Sequence, residues 1–230
     1  MIDNIQAIIF DVDGVLVDSE QTHFLAYQKL LLEYGKALTW QDYKKYFSGK
    51  SIRGGVEHYN KDHHIGTEQD FETLLKVISE KKINSTTKLF ESHIDFFNDT
   101  VSFIDRIAVG NLSLKDIGTI REKPTLAFAT GMEDKLMKEV LKHNDLQNKI
   151  STVVTPGSYK KSKPDPECYL VALQKIKMSA DQVIGVEDSP AGIDALNAAG
   201  IFSIGLTTSH SASELSKAKV IVSTLSELIL

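Results

Sequence analysis

Two pairs of carboxylates and one lysine define the chemistry this sequence can do. Asp11 and Asp13 lie two residues apart after the apolar run Ala7 to Phe10. Glu187 and Asp188 follow a second run, Val183 to Val186, and Lys163 stands in a Ser-Lys-Pro-Asp-Pro segment. The prolines fix the backbone around the lysine, so its ammonium projects from a stiff loop. Residues i and i+2 of an extended segment point the same way, which lets Asp11 and Asp13 reach one phosphorus atom. Several carboxylates at one place repel one another unless a hard cation neutralises them, and oxygen ligands of this type suit Mg²⁺. Thr130 and Gly131, after a third apolar run from Thr125 to Ala129, add a hydroxyl and a backbone N–H. Magnesium, lysine and hydroxyl together make a phosphate receptor. One aspartate would attack as nucleophile, giving an aspartyl-phosphate, and the other would exchange a proton with the leaving oxygen and then with water. The spacing leaves open which aspartate does which. Gly14 lets the chain turn directly after Asp13.

These groups meet only if the elements before them bring their ends together. The three runs, with a fourth from Phe202 to Leu206, are short and nearly all apolar, as buried parallel strands are. Helical patterns follow them at roughly Ser19 to Tyr34, Glu133 to His143, Pro166 to Lys177 and Ala191 to Ala199. Strand, polar turn and helix in repetition predict an open parallel α/β sheet, whose ligands sit at the carboxyl ends of the strands. More than a hundred residues separate the first strand from the second, too many for an ordinary crossover, so an insertion lies between them. Thr39 with Asp42 marks one helix start in it. Thr67, ahead of Phe71, Leu74, Leu75 and Ile78 at helical spacing, marks another. The expected organisation is an α/β core of residues 1–19 and 96–230 and an α-helical cap of residues 20–95. The segment 109–123, with Gly110, Gly118 and Pro124 around charged residues, is expected to be an irregular surface connection or a short added helix.

Composition narrows the function from outside. The 230 residues carry 26 Lys+Arg against 31 Asp+Glu, a net charge of −5 that argues against nucleic acid as a partner. The single cysteine, Cys168, can form no internal disulfide, and its apolar helical neighbours predict a buried thiol. The N-terminus lacks the basic start and apolar stretch of a signal peptide, and no apolar run approaches the ~20 residues of a membrane span. The cytoplasm is the expected location. Two rival motifs fail on position. Gly14 comes two places too early for a calcium-binding EF-hand loop. Gly49-Lys50-Ser51 resembles the end of a P-loop, but Lys44 stands where that loop needs its leading glycine.

Four segments carry a resemblance to a known family: Asp11-Val12-Asp13-Gly14-Val15-Leu16-Val17-Asp18-Ser19, Ala129-Thr130-Gly131, Lys163-Pro164-Asp165-Pro166 and Gly185-Val186-Glu187-Asp188-Ser189-Pro190-Ala191-Gly192. In order and spacing they resemble the four motifs of the haloacid dehalogenase-like superfamily, in its beta-phosphoglucomutase-like and phosphatase-like branch with a helical cap. The resemblance implies a Rossmann-like core. It makes Asp11 the nucleophile and Asp13 the general acid/base, with the Asp13 carbonyl also on the metal. Thr130, the Gly131 N–H and Lys163 would hold the phosphoryl group, and Asp188 with Glu187 would complete an Mg²⁺ site with Asp11. Asp18 and Ser19 match the hinge, while Gly49, Ser51 and Arg53 resemble a cap loop that reaches the substrate. His23 matches a position on the first cap helix. Two departures bear on the cap and not on the chemistry: Phe96-Phe97-Asn98-Asp99 replaces a common Pro-Gly, and the connection 109–123 is long. The expected function is an Mg²⁺-dependent phosphatase of a small phosphorylated metabolite such as a sugar phosphate. A phosphosugar mutase is the alternative, followed by a catalytically silent partner-binding member. The expected partners are that metabolite and neither nucleic acid nor membrane, for a monomer or weak homodimer.

Overall fold

A computed structural model describes all residues of the chain except 1, 3, 67–69 and 121. Its contacts divide the chain into two units, Met1–Asp18 with Asp95–Leu230, and Ser19–Ile94.

The first unit is built on six parallel strands: β1 (Ala7–Phe10), β4 (Thr125–Ala129), β5 (Thr152–Val154), β6 (Val183–Glu187), β7 (Phe202–Leu206) and β8 (Val220–Val222). They lie in the order β5-β4-β1-β6-β7-β8. All four residues of β1 are buried, as expected of a central strand covered on both faces. Helices α5 (Asn98–Ile107), α6 (Asp134–Leu141), α7 (Leu146–Lys149), α8 (Glu167–Ile176) and α9 (Pro190–Ala198) connect the strands. One apolar cluster joins Ala7, Ile9 and Ala127 of the sheet to Cys168, Tyr169 and Ala172 of α8 and to Ala195 and Leu196 of α9. The α/β sheet fold is thus as the sequence predicts. The edge strands β5 and β8 are an addition, since three residues each are too few to show a period.

The segment 109–123 corrects the expectation of an irregular connection or short helix. It forms an antiparallel hairpin, β2 (Leu112–Leu114) with β3 (Gly118–Ile120), in which Leu112 faces Ile120 and Leu114 faces Gly118. Asp116, with a positive φ of 59°, takes the left-handed third position of the turn that the Ile117 N–H closes on the Leu114 carbonyl. Leu114, Ile117 and Ile120 are buried, so apolar burial closes the hairpin despite its charged surroundings.

The second unit contains α1 (Glu20–Leu32), α2 (Trp40–Tyr46), α3 (Ile52–His63) and α4 (Phe71–Ser92), with no strand among its described residues. Thr39 caps α2 as its spacing predicts: Thr39 Oγ1 accepts from the Asp42 N–H at 3.1 Å, and the Asp42 carboxylate accepts from the Thr39 N–H. The helix start expected at Thr67 lies outside the described residues. An aromatic-rich core of Phe24, Tyr27, Tyr43, Tyr46, Phe47 and Tyr59, joined by Leu75 and Ile78 of α4, holds the four helices together. Among the described residues no helix is long and apolar enough to cross a membrane.

Candidate active site

Strand register decides which residues meet. Phe10 lies level with Phe128 of β4 and Val186 of β6, so Asp11 leaves the sheet beside Ala129 and Glu187. Strand order reverses here, β4 and β5 lying on one side of β1 and β6 to β8 on the other, and ligands bind at such a switch point.

Lys163 stands at the centre of this strand end. Its Nζ donates to Asp11 Oδ1 at 2.7 Å, to Glu187 Oε1 at 2.6 Å and to the Ala129 carbonyl at 3.1 Å, so all three ammonium protons are committed. Glu187 is fully buried and accepts further bonds from the Tyr169 hydroxyl at 2.5 Å, on Oε1, and from the Ser189 hydroxyl at 3.1 Å, on Oε2. Ser189 also caps α9 by accepting from the Gly192 N–H at 3.1 Å. Carboxylate oxygens of Asp11, Glu187 and Asp188 lie within 4.8 Å of one another, all buried.

Three buried carboxylates against one ammonium leave excess negative charge. Burial raises the Asp11 carboxyl well above its usual range; Lys163 opposes this, and Glu187, Asp188 and Asp13 add to it. Burial, then Glu187, pushes Asp188 up to about 7, while the Ser209 hydroxyl and Lys163 pull it down. Burial works against the charge of Lys163 too, but Asp11 and Glu187 outweigh it and hold the ammonium well above its ordinary range. A hard divalent cation would relieve this imbalance, and a set of carboxylate oxygens fits Mg²⁺.

The remaining expected residues fall at different places. The Asp13 carboxylate is outside the trio of converging oxygens, although its charge acts on both Asp11 and Asp188. Thr130 is fully buried, and its Oγ1 accepts from the Met132 N–H at 3.0 Å, which leaves its own proton to donate. Gly131 faces open space. At Gly14, φ is +75° and an added Cβ would stand 1.8 Å from Asp188 Oδ2; the glycine therefore serves the second carboxylate pair as well as the turn. Arg53 and His23 belong to the helical unit. Arg53 makes a two-pronged bond to Glu72, at 2.8 and 2.7 Å, and a longer one to Glu57 at 3.3 Å. His23 Nδ1 lies 3.1 Å from the Nζ of buried Lys82.

Sequence reasoning missed a layer of supporting groups. Beyond Tyr169, the loop after β7 reaches the site: Thr208 donates through its hydroxyl to the Gly14 carbonyl, and the Ser209 hydroxyl bonds the Asp188 carboxylate. His210 Nδ1 donates to the Asp188 carbonyl at 2.9 Å. This Thr-Thr-Ser-His segment directly follows a strand that the sequence predicts, and the rule that placed the other strand ends would have found it.

Comparison with known proteins agrees with this fold. Residues 8–206 match the haloacid dehalogenase-like hydrolase family. The chain is 28% identical over 196 residues to the phosphorylated carbohydrates phosphatase of Thermotoga maritima, covering 85% of this chain and 82% of that one. It is 24% identical over 205 residues to the beta-phosphoglucomutase of Bacillus subtilis, covering 87% and 83% of the two chains. Among solved structures, a beta-phosphoglucomutase from Clostridium difficile superposes with a TM-score of 0.76 at 24% identity, over 97% of this chain and 93% of that one, a likeness of fold.

Proposed function

The chain is an enzyme of the haloacid dehalogenase-like hydrolase family, in its beta-phosphoglucomutase-like branch, and from that premise we propose an Mg²⁺-dependent phosphatase of a small phosphorylated sugar. The observation that carries this reading is the Lys163 ammonium, held 2.7 Å from Asp11 among buried carboxylates at a sheet switch point. Asp11 attacks the phosphorus and takes the phosphoryl group as an aspartyl-phosphate. Asp13 gives a proton to the leaving oxygen, then takes one from the water that hydrolyses the acyl phosphate. The Thr130 hydroxyl and the Gly131 N–H bind the phosphoryl oxygens, and the Lys163 ammonium beside Asp11 neutralises the charge that develops on nucleophile and phosphoryl group. Asp11, Asp188, the Asp13 carbonyl and Glu187, directly or through water, would hold Mg²⁺, which when bound neutralises the carboxylates and the phosphate together. The similarity to a carbohydrate phosphate phosphatase over most of both chains favours water as the final acceptor, and a sugar phosphate as substrate.

Phosphate release from a panel of phosphorylated metabolites, with and without Mg²⁺, tests the proposal. Metal-dependent hydrolysis that Asp11→Asn abolishes is the expected result. Isomer interconversion primed by a bisphosphate, with little phosphate released, would make the chain a mutase; full activity in chelator would reject the metal.

A further inference from the structure

Tyr169 is a fully buried phenol in an apolar setting. It lies on α8 among Ile9, Ala127, Ala172 and Leu196, packing that a phenylalanine would satisfy equally well. Its hydroxyl therefore needs a separate reason, because a buried O–H costs stability unless it is bonded. It donates to Glu187 Oε1 at 2.5 Å, the same oxygen that accepts from Lys163 at 2.6 Å. The Tyr169 ring also lies 5.1 Å from the Lys163 ammonium, within cation–π range. Ser189 holds the other oxygen, so the carboxylate is fixed at both ends.

We propose that Tyr169 is a positioning residue for phosphoryl transfer: its hydroxyl pins Glu187, Glu187 pins Lys163, and the chain of contacts fixes the ammonium against Asp11. Tyr169 touches no reacting atom in this scheme. It acts through Glu187, keeping Oε1 turned toward the lysine. With the hydroxyl gone, Oε1 of Glu187 keeps only the lysine itself and Ser189 holds the other oxygen, so Lys163 gains freedom to leave the Asp11 oxygen. The effect falls on the chemical step, where Lys163 must meet developing charge, more than on substrate capture.

The proposal rests on the reading of Asp11, Lys163 and Glu187 as the reacting cluster, so its test includes a signal independent of turnover. Tyr169→Phe keeps the ring and removes only the hydroxyl. With p-nitrophenyl phosphate and Mg²⁺, kcat per folded molecule should fall about 5- to 50-fold, with KM within about twofold. The ¹⁵Nζ–¹H signal of Lys163, identified by its loss in Lys163→Gln, should shift or broaden. Tyr169→Leu should add a lower Tm with little further loss of kcat. An unmoved Lys163 signal with unchanged kcat in Tyr169→Phe would overturn the proposal and leave Tyr169 as packing alone. If the wild-type chain hydrolyses no phosphomonoester, the proposed function fails, and the Lys163 signal still decides: moved by the loss of the hydroxyl it upholds the contact chain, unmoved it rejects it.

Discussion

Gly192 leaves the space that the Glu187 carboxylate occupies. A Cβ at position 192 would stand 1.9 Å from the carboxyl carbon of Glu187 and 2.0 and 2.1 Å from its oxygens. Gly192→Ala must therefore displace either the carboxylate, with its bonds to Lys163, Tyr169 and Ser189, or the first turn of α9. Both routes disturb a fully buried charged group, which costs on the order of 3–5 kcal/mol when its partners are lost. We expect a lower Tm by thermal melting and at least about a hundredfold loss of kcat/KM. A variant with wild-type rate and stability would show that this carboxylate does no work where it stands.

What the sequence made legible, and what it hid, divide along one physical line. Asp11, Glu187 and Asp188 could be found because strand ends converge in any parallel sheet, so their position relative to an apolar run was enough, whereas Lys163, which follows no such run, was legible through its proline-flanked segment. Tyr169 was illegible because its partner, Glu187, is chosen by packing and the tyrosine looks like one more apolar residue of α8; Gly192 stood in the fourth motif segment, but its contact with Glu187 could not be read there. The hairpin β2–β3 was hidden for a related reason. Its apolar residues alternate over only three positions per strand, and the αL residue of its loop is Asp116, with no Asn-Gly to announce the turn.

The two aspartates of the first strand end should separate by variant. On the proposed mechanism Asp11→Asn removes the nucleophile, so no labelled phosphoryl group should be trapped on the protein from a labelled substrate. Asp13→Asn leaves the nucleophile intact and should slow formation and hydrolysis of the phosphoenzyme by roughly 10²–10⁴-fold, the usual contribution of a general acid/base. Label recovered on Asp13 in the wild type would reverse the roles.

If Asp188 holds Mg²⁺ as proposed, proton and metal compete for it. Its carboxyl is raised from the ordinary 3.8 to about 7 in the metal-free protein. Because the folded value lies above the unfolded one, this group's stabilising contribution is complete below the ordinary value and is lost as pH rises through about 7. Magnesium needs the ionised carboxylate, so binding must release a proton at neutral pH and weaken as pH falls. Titration calorimetry in two buffers of different ionisation enthalpy should show proton release at pH 6.5, and apparent Mg²⁺ affinity should drop about 3- to 10-fold between pH 8 and 6.5. An affinity flat over that range would place Asp188 outside the metal's coordination.

Arg53 and Glu72 allow a substrate role to be separated from a structural one. The pair is exposed, half so at Arg53 and more at Glu72, and an exposed ion pair contributes only about 0.2–1 kcal/mol. If pairing were the whole purpose of Arg53, Arg53→Ala and Glu72→Ala would have equal, small effects. We expect them to differ. Following the resemblance of the Gly49–Arg53 segment to a substrate-reading loop, Arg53→Ala should lower kcat/KM for the best metabolite of the panel by about 10- to 1000-fold, while Glu72→Ala stays within about threefold. Hydrolysis of p-nitrophenyl phosphate, which has no hydroxyls or second charge for a guanidinium to recognise, should change little in either variant. Equal losses on both substrates in Arg53→Ala would make the residue part of the protein's general mechanics. No loss on either would remove it from substrate choice and shift the role to His23, whose Nδ1 is already turned to Lys82.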